Sequence, residues 1–482
     1  FLQSPPLRYN RRMENPAAYI PLDRRRALAA GVELPAQTTG AALFADISGF
    51  TRLTETLALA FGPRRGADEL TRQLNEVYNA IIAPIHRYDG AVIGFSGDGI
   101  ICWFDDAGAA PGGLRACAAG LEIQQAMSAF ARLDYPDGPV GLAIKIAIAL
   151  GPVQRYLVGD PASRLIDVLA GGVLDRMAGA ESVAEQGEVL MDEWSGHSQE
   201  RDLIGGWIER NGGQFLRVEG MTVFVPAGTA QPDVILSDEV TRPWLLPAVY
   251  ERIRDQQGRF LAELRPAAAL FLKFDGLDFD ANPEAGAQGA GALEAGAQLD
   301  RYIRWVQSVV DRLEGSLIQL TTGDKGSYLY AAFGAPIAHD DDVQRAVSAA
   351  LELSHSPRLF PFINRVAMGI SQGRMRVGAY GSENRRTYGV LGDETNLAAR
   401  LMSKADAGQI LVSQRVAEQI DERFQLRAMG AMRFKGKSEP LAVFAVEGER
   451  IFSGDEYRLL FPNRLEGRGG ELARMHAVLA DV

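Results

Sequence analysis

The sequence predicts an α+β protein that contains two copies of one βαββαβ domain, each an antiparallel sheet covered by helices. Three observations support this prediction. The segment 41–50 reappears in similar form at 268–277. Charged residues then follow each segment at nearly equal distances. Within each copy, apolar residues repeat alternately with the period of a strand and with that of a helix.

The repeat is supported most strongly by spacing. Asp98 follows Asp46 by 52 positions, and Asp324 follows Lys273 by 51. An arginine then follows after a further 78 positions in copy one and 76 in copy two. Agreement over three points of the chain indicates a duplicated domain.

The duplication divides the chain into a first domain at 40–225 and a second domain at 266–448. The connecting segment 226–265 contains several prolines, as is typical of a linker. A segment at 1–39 precedes the first domain, and a tail at 449–482 follows the second. We therefore expect two hydrophobic cores joined by a linker.

The elements of copy one follow each other in a clear order. A strand at 41–47 leads into helical periodicity from about 51 to 81. Two short apolar runs within 91–104 flank a Ser-Gly-Asp-Gly turn, as in a hairpin. A helix at about 116–132 precedes the apolar strand 140–150. This order is that of a ferredoxin-like α+β sandwich.

Copy two has one feature of its own between its first strand and its first helix. Residues 281–298 are almost only Ala, Gly, Glu and Gln. Such a composition is typical of flexible segments. We predict a mobile surface loop there.

Composition excludes several classes of function. The net charge of −11 gives no general electrostatic footprint for nucleic acid or an anionic membrane. No apolar run reaches the roughly 20 residues of a membrane span. The two cysteines, Cys102 and Cys117, lie in apolar stretches, which favours core thiols in a reducing compartment. The sequence therefore predicts a soluble cytoplasmic protein without a nucleic-acid partner or a membrane span.

Two acidic residues occupy positions that suit a phosphate-binding site. Asp46 ends the first predicted strand just before a helix, and Asp98 lies in the Gly-Asp-Gly turn. Taken alone, the first segment is also typical of a helix cap and the second of an ordinary hairpin. If the strand and the hairpin are neighbours in one sheet, the two carboxylates converge as ligands for paired Mg²⁺ ions. Backbone N–H groups of residues 47–50 would then hold phosphate oxygens.

The segment 386–401, in which Asn396 and Arg400 lie four positions apart on one helix face, resembles the class III nucleotidyl cyclases. It is most similar to soluble adenylyl cyclases with fused catalytic domains. The resemblance covers about 40–224 and 266–447, and it implies two cyclase domains that form an intramolecular pseudo-twofold heterodimer and convert ATP to cyclic AMP. By this resemblance Asn396 orients the ribose and Arg400 stabilises charge on the α-phosphate. An amphipathic helix with a surface arginine is the structural alternative.

The resemblance also divides one active site between the copies. Copy one supplies the ligands of two divalent cations, Mg²⁺ or Mn²⁺, and copy two supplies the contacts to the base and the transition state. A lysine inside an apolar strand, such as Lys145, independently favours contact with an anion. Lys325 is assigned to the adenine, and Lys145 and Lys435 to the triphosphate. The full assignment comprises the metal ligands Asp46, Asp98 and Ile47, the catalytic residues Asn396 and Arg400, and the substrate contacts Lys325, Lys145, Lys435, Ser48, Gly49, Phe50 and Thr51.

The reciprocal site is predicted to be degenerate. Lys273 stands where a metal acid belongs, and we expect it to form an ion pair with Asp324 in place of a metal. Gly172 stands at the position of the family's asparagine, and Arg176 lies close to the position of the family's partner arginine. The resemblance implies a pocket for a small-molecule regulator such as bicarbonate, but Gly94 removes a lysine associated with bicarbonate binding.

Purine choice is the point at which the chain departs from the family. Gly389 stands where the soluble branch often has a threonine and other cyclases have an aspartate. The preference for ATP over GTP therefore rests on Lys325. A guanylyl cyclase and a catalytically silent nucleotide sensor that regulates an attached domain are the alternatives.

The tail carries a further resemblance. Residues 464–474 resemble the beginning of an ATPase-type signalling domain, and an amphipathic C-terminal helix is the alternative. Because the chain begins with Phe1 and not with a methionine, we expect it to be a piece of a longer protein.

Overall fold

The structure is a computed structural model. It describes residues 15–135, 138–228, 234–255, 263–280, 290–323, 326–420, 423–434, 437 and 439–450.

The first half of the chain contains copy one, a preceding helix and two short helices that follow it. Its strands are β1 (Gln37–Ser48), β2 (Ala91–Ser96), β3 (Gly99–Asp105), β4 (Leu133–Tyr135), β5 (Gly138–Val140), β6 (Ala143–Val158), β7 (Ile166–Ala170), β8 (Val189–Asp192), β9 (Leu203–Arg210) and β10 (Gly213–Met221). Its helices are α1 (Leu22–Ala30), α2 (Phe50–Arg87), α3 (Gly112–Met127), α4 (Gly172–Val183), α5 (Glu193–Gln199), α6 (Asp238–Thr241) and α7 (Pro247–Arg254).

Copy two forms the second half. Its strands are β11 (Glu263–Asp275), β12 (Ser316–Thr321), β13 (Ser327–Phe333), β14 (Arg365–Gly381), β15 (Arg386–Leu391), β16 (Ile410–Ser413), β17 (Phe424–Met432) and β18 (Leu441–Glu449). Its helices are α8 (Ala290–Arg312), α9 (Asp342–Leu353), α10 (Ser356–Leu359), α11 (Asp393–Lys404) and α12 (Gln414–Gln419).

The two copies build sheets with the same topology. Copy one has the order β2-β3-β1-β6-β8-β10-β9, with β7 paired to β6. Copy two has the order β12-β13-β11-β14-β16-β18-β17, with β15 paired to β14. The predicted α+β class, the duplication and the βαββαβ order are therefore confirmed.

The prediction that the sheets are purely antiparallel was wrong. In copy one, β6 and β8 are parallel, and β14 and β16 repeat this arrangement in copy two. In each case the chain passes through a hairpin strand and a helix before it returns, so the returning strand runs in the same direction as the first. Each sheet is therefore mixed.

The long helix α2 covers the sheet of copy one. Its apolar residues fall at helical spacing, so that Leu53, Leu57, Leu74 and Tyr78 all face the core and are at most 3% exposed. The helix begins directly after β1, and its first turn lies beside the end of the strand that carries Asp46. The fold thereby places a helix N-terminus close to Asp46.

The loop predicted for 281–298 is partly a helix. Helix α8 begins at Ala290, whereas 281–289 lie outside the described residues. Alanine, glutamate and glutamine are good helix formers, and Ala295 and Leu299 are buried in the core of copy two. Helix propensity and burial together outweigh the flexibility that the glycines suggested.

The structure also tests the predictions from composition. Cys102 and Cys117 are free thiols and are fully buried, as predicted for core residues. Among the helices in the described ranges, none combines the length and the apolar character that a membrane span requires.

Candidate active site

The predicted metal site, which we call the metal edge, lies where β1 meets the β2–β3 hairpin. Asp46 forms antiparallel pairs with Gly99 of β3 on one side and with Lys145 of β6 on the other. Asp98 directly precedes Gly99 in the turn. The strand and the hairpin are thus neighbours, as the convergence of the two acids required.

The electrostatics of this edge suit a divalent cation. Burial, and to a smaller extent the nearby charge of Asp46, together raise the pKa of Asp98 to about 7. The side chain of Ile47 is 5% exposed, so only its backbone can face the cleft. Within the described ranges, no group of three or more His, Cys, Asp or Glu residues is placed to hold a metal. Two carboxylates with substrate phosphates are nevertheless a typical Mg²⁺ ligand set.

Lys145 brings a positive charge to the same edge. Its Nζ lies 3.4 Å from Asp46 Oδ2 and also contacts the Glu181 carboxylate. Burial alone would lower the pKa of Lys145, but Glu181 and Asp46 outweigh it and raise the pKa. The anions that the sequence argument required are therefore carboxylates of the chain itself. Contact of Lys145 with a triphosphate stays a prediction.

The predicted phosphate loop is the junction of β1 and α2. Ser48 ends the strand, and Gly49 caps the helix with a φ of 96°, in the left-handed region that favours glycine. A Cβ on Gly49 would also lie 2.4 Å from the Gly141 carbonyl oxygen. Phe50 and Thr51 form the first turn, whose N–H groups suit an anion.

The opposite wall comes from β15 and α11 of copy two. Gly392 caps α11, and Asn396 and Arg400 follow one helical turn apart. Both side chains are half-buried. Arg400 Nη1 is shielded from solvent and has no hydrogen-bond partner among the residues that the structure describes. A guanidinium group in this state is available to an anionic ligand.

One pocket of about 290 Å³ joins the two walls. Copy one lines it with Ser96 and Gly97, which lead directly to Asp98. Copy two lines it with Asn396 and with Gly389, which contributes only backbone. The fold thus brings the β2–β3 hairpin of copy one and the α11 helix of copy two to one cavity between the copies.

Gln319 is a pocket residue that the sequence analysis missed. Its Nε2 donates to Ser96 Oγ at 3.2 Å and to Thr321 Oγ1 at 2.9 Å. Ser96 Oγ is also 3.1 Å from the Tyr328 hydroxyl. An amide can both donate to and accept from a purine edge. The alternation of residues along the strand gives no signal for it, because Gln319, like Gly94 in the equivalent strand, is the first residue after a bulge.

Several predicted residues lie outside the described residues, namely Lys325, Asp324 and Lys435. Their assignments stay predictions, as does the ion pair of Lys273 with Asp324. The register nevertheless refines the comparison of the hairpins. Gly99 pairs with Asp46, and its equivalent Tyr328 pairs with Lys273. By this register, Ser327 takes the place of Asp98.

The predicted equivalence of Gly172 with Asn396 was wrong. Glycines cap α4 and α11, and the fourth residue after the cap is Asp175 in one helix and Asn396 in the other. A Cβ on Gly323 would lie 3.3 Å from Asp175 Oδ1, so Asp175 faces the copy-two hairpin. The sequence count failed because the segments before these helices differ in length.

Arg176 consequently is not the counterpart of Arg400. Its Nε lies 3.2 Å from Asp192 Oδ2, and its guanidinium packs 5.4 Å from the centre of the Trp194 ring. It also contacts the Leu150 carbonyl. Arg176 therefore holds elements of copy one together.

Comparison with known proteins agrees with this geometry. The adenylate and guanylate cyclase catalytic domain matches residues 299–448. The chain carries a class III nucleotidyl cyclase domain. The match includes Asn396 and Arg400 and begins after Lys273.

Relatives of this cyclase domain extend the similarity to both copies. Adenylate cyclase type 10 from Oryctolagus cuniculus is 24% identical over 398 residues, which are 75% of this chain and 24% of that protein. The chain thus spans about a quarter of the length of this relative. An adenylate cyclase from Mycobacterium bovis is 29% identical over 227 residues, 44% of this chain and 48% of that protein.

A solved structure shares the tandem fold. The class III adenylyl cyclase-like ATP-binding protein from Pseudomonas aeruginosa matches 84% of this chain and 93% of its own, with a TM-score of 0.53 and 13% identity. At this identity the likeness shows the fold alone.

Proposed function

We propose that this protein is an adenylyl cyclase that converts ATP to 3′,5′-cyclic AMP and pyrophosphate between its two copies. The observation that carries the proposal is the shared pocket, because Asn396 lines it from one side and the Ser96–Gly97 turn that leads to Asp98 lines it from the other. A substrate base bound there would lie beside the turn that leads to Asp98 and beside Asn396, which is one helical turn from Arg400.

Each wall has a distinct role in the proposed reaction. Asn396 orients the ribose so that its 3′-oxygen faces the α-phosphate, and Arg400 stabilises the charge that develops there. The N-terminus of α2 and Lys145 bind the phosphates that leave as pyrophosphate. Asp46 and Asp98, with the Ile47 backbone, would hold two Mg²⁺ or Mn²⁺ ions, which would supply Lewis-acid stabilisation of the phosphates.

The choice of ATP over GTP has separate support. The relatives that cover most of the chain are named adenylate cyclases. Gln319 offers an amide to the base, and Lys325 keeps its predicted role toward adenine. Guanylyl cyclase activity is the nearest alternative, because an amide can pair with either purine.

A catalytically silent nucleotide sensor is the second candidate. It is favoured by the fold shared with a protein described as cyclase-like and ATP-binding. It is also favoured by Gly389, which presents no side chain to the base.

One assay separates the three functions. Purified protein is incubated with ATP or with GTP in Mg²⁺ or Mn²⁺, and cyclic products are quantified by mass spectrometry, with Asp46→Ala as the control. Faster formation of cyclic AMP from ATP than of cyclic GMP from GTP supports the proposal, and the reverse order identifies a guanylyl cyclase. Binding of ATP with no cyclic product identifies the sensor.

The remaining predictions concern regulation and context. The cleft around Lys273 is proposed to bind a small regulator and not substrate, and addition of bicarbonate at constant pH tests bicarbonate in the same assay. An ATPase-type domain after the second copy and a cytoplasmic location are carried forward as proposals.

A further inference from the structure

A β-bulge places Gln319 in the pocket. In the β12–β13 ladder Leu317 pairs with Ala331 and Gln319 pairs with Tyr330, so Ile318 is the extra residue. Side chains of a regular strand alternate, and Gln319 would then face the same side as Leu317, which packs in the copy-two core. Because of the bulge, Ile318 and Gln319 both line the pocket.

A residue of copy one contacts this bulge. Arg164 Nη1 donates to the Ile318 carbonyl oxygen at 3.1 Å. The extra residue of a bulge is left out of the strand ladder, so its carbonyl group needs a partner elsewhere. Arg164 thus provides an interaction that favours the bulged form of β12.

The loop that carries Arg164 is fixed against copy two. Gly159 N donates to Asp300 Oδ1 at 2.8 Å, and Asp160 N donates to Gln307 Oε1 at 2.7 Å. Gln307 Nε2 in turn donates to the Arg164 carbonyl oxygen at 2.7 Å. Gln307 is 1% exposed, so its two bonds are shielded from water. The backbone of the loop that carries Arg164 is therefore fixed against copy two before any ligand binds.

We propose that Arg164 is a positioning residue for purine selection. It holds the bulge of β12 from the other copy and thereby keeps the amide of Gln319 directed into the base pocket. The inference rests on the proposed function, since it requires that a purine nucleotide binds there.

The chain contains a matched control. Copy one has the same bulge, with Ile93 as the extra residue between Val92 and Gly94. Arg385 of copy two donates to the carbonyl oxygens of Val92 at 2.8 Å and Ile93 at 2.9 Å. The residue after this bulge is Gly94, which has no side chain to present. Arg385 therefore holds a bulge that carries no base-reading group.

The test compares purine selection in variants of the full chain. Steady-state kcat/KM for ATP and GTP, and equilibrium binding of methylanthraniloyl-ATP and methylanthraniloyl-GTP, are measured for Arg164→Ala, Arg164→Lys, Gln319→Ala and the double variant Arg164→Ala/Gln319→Ala. We expect Arg164→Ala to bring the ATP-to-GTP ratio about fivefold closer to one, the effect of one lost polar contact. Arg164→Lys should restore part of the ratio. Arg385→Lys should change both nucleotides by the same factor.

The double variant distinguishes positioning from a general structural role. If Arg164 acts through Gln319, its removal has no further effect on the ratio once Gln319 is alanine. An unchanged ratio in Arg164→Ala, additive effects in the double variant, or a parent ratio already near one would overturn the inference alone. If Arg164→Ala does not fold, the ratio of Arg164→Lys decides. A parent chain that binds neither purine would overturn the proposed function and this inference together.

Discussion

The two copies share a sheet topology but differ at the edge where the first strand meets the hairpin. In copy one this edge holds Asp46 beside Asp98, and the mutual effect of burial and charge raises the pKa of Asp98 to about 7. In copy two the same register holds Lys273 beside Ser327. At these two positions the pair of acids in copy one, which we propose as metal ligands, is replaced by a lysine and a serine in copy two. The comparison shows that the backbone alone does not make a catalytic site.

Helices α4 and α11, which occupy equivalent positions in the two copies, differ in the opposite way: here copy two carries the residue that matches the family. Asn396 of helix α11 lines the pocket that Ser96 and Gly97 of the copy-one hairpin also line, whereas Asp175 of α4 faces the copy-two hairpin at Gly323. Under the proposed function, each copy retains one half of an active site, and the two halves meet at one pocket. The strongest experiments change a residue in one copy and its counterpart in the other.

The largest effect is expected at the metal edge. Asp46→Ala or Asp98→Ala should lower kcat by a thousandfold or more, because each removes a carboxylate for which the metal has few substitutes. Lys273→Ala, the matched change in copy two, should alter kcat less than about threefold. Cyclic product formation at saturating ATP measures both. Substantial activity in Asp46→Ala would contradict the division of labour between the copies.

A second comparison concerns Asp167 and Asp98, two acids of copy one whose surroundings shift their pKa values in opposite directions. Asp167 accepts from Arg155 at 2.8 Å and from Arg24 at 2.9 Å. Burial alone would raise the pKa of Asp167, but the two guanidinium groups outweigh it and lower the pKa. Asp167→Asn should therefore destabilise the fold by about 3 kcal/mol, since it leaves buried arginines without their partner. Chemical denaturation measures the change, and a more stable variant would show that the pairs cost more than they contribute.

The arginines of the two helices provide the next test. Arg400→Ala should lower kcat about a hundredfold with little change in KM, as expected for a contact formed mainly in the transition state. Arg176→Ala should change kcat less than about threefold, because Arg176 contacts only copy-one groups among the described residues. Steady-state kinetics separate the two parameters. A raised KM at constant kcat would make Arg400 a ground-state contact.

Much of this arrangement was predictable from sequence, and the reasons are local. Asp46 and Asp98 could be paired because a strand that ends beside a hairpin fixes both positions by backbone register. The duplication was visible because charged residues recur at similar spacing. Asn396 and Arg400 could be placed on one helix face because their separation is one turn.

The errors have equally physical causes. Spacing across loops of different length led to Gly172 in place of Asp175 as the counterpart of Asn396. Gln319 was missed because a bulge changes the side of the sheet that a residue faces, and no period of two reveals it. The helix from Ala290 was read as a loop because glycines outweighed the alanines and the buried positions that follow.

The smallest effect concerns the stability of the fold at the metal edge. The ionised form of Asp98, which we propose as a metal ligand, should destabilise the folded protein when no metal is bound. The pKa of Asp98 is raised to about 7 in the folded protein, above its unfolded value of about 4. The folded state then binds a proton more tightly than the unfolded state, so this group stabilises the fold below pH 4 and that contribution is lost as the pH rises through 7. Asp98→Asn removes the charge, and without metal it should raise the Tm at pH 8 by a few degrees but change it little at pH 5. Differential scanning calorimetry in a chelator measures both values. Saturating Mg²⁺ should remove or reverse the difference, because the cation stabilises only the carboxylate form. Equal Tm shifts at both pH values would contradict an ionised, destabilising Asp98.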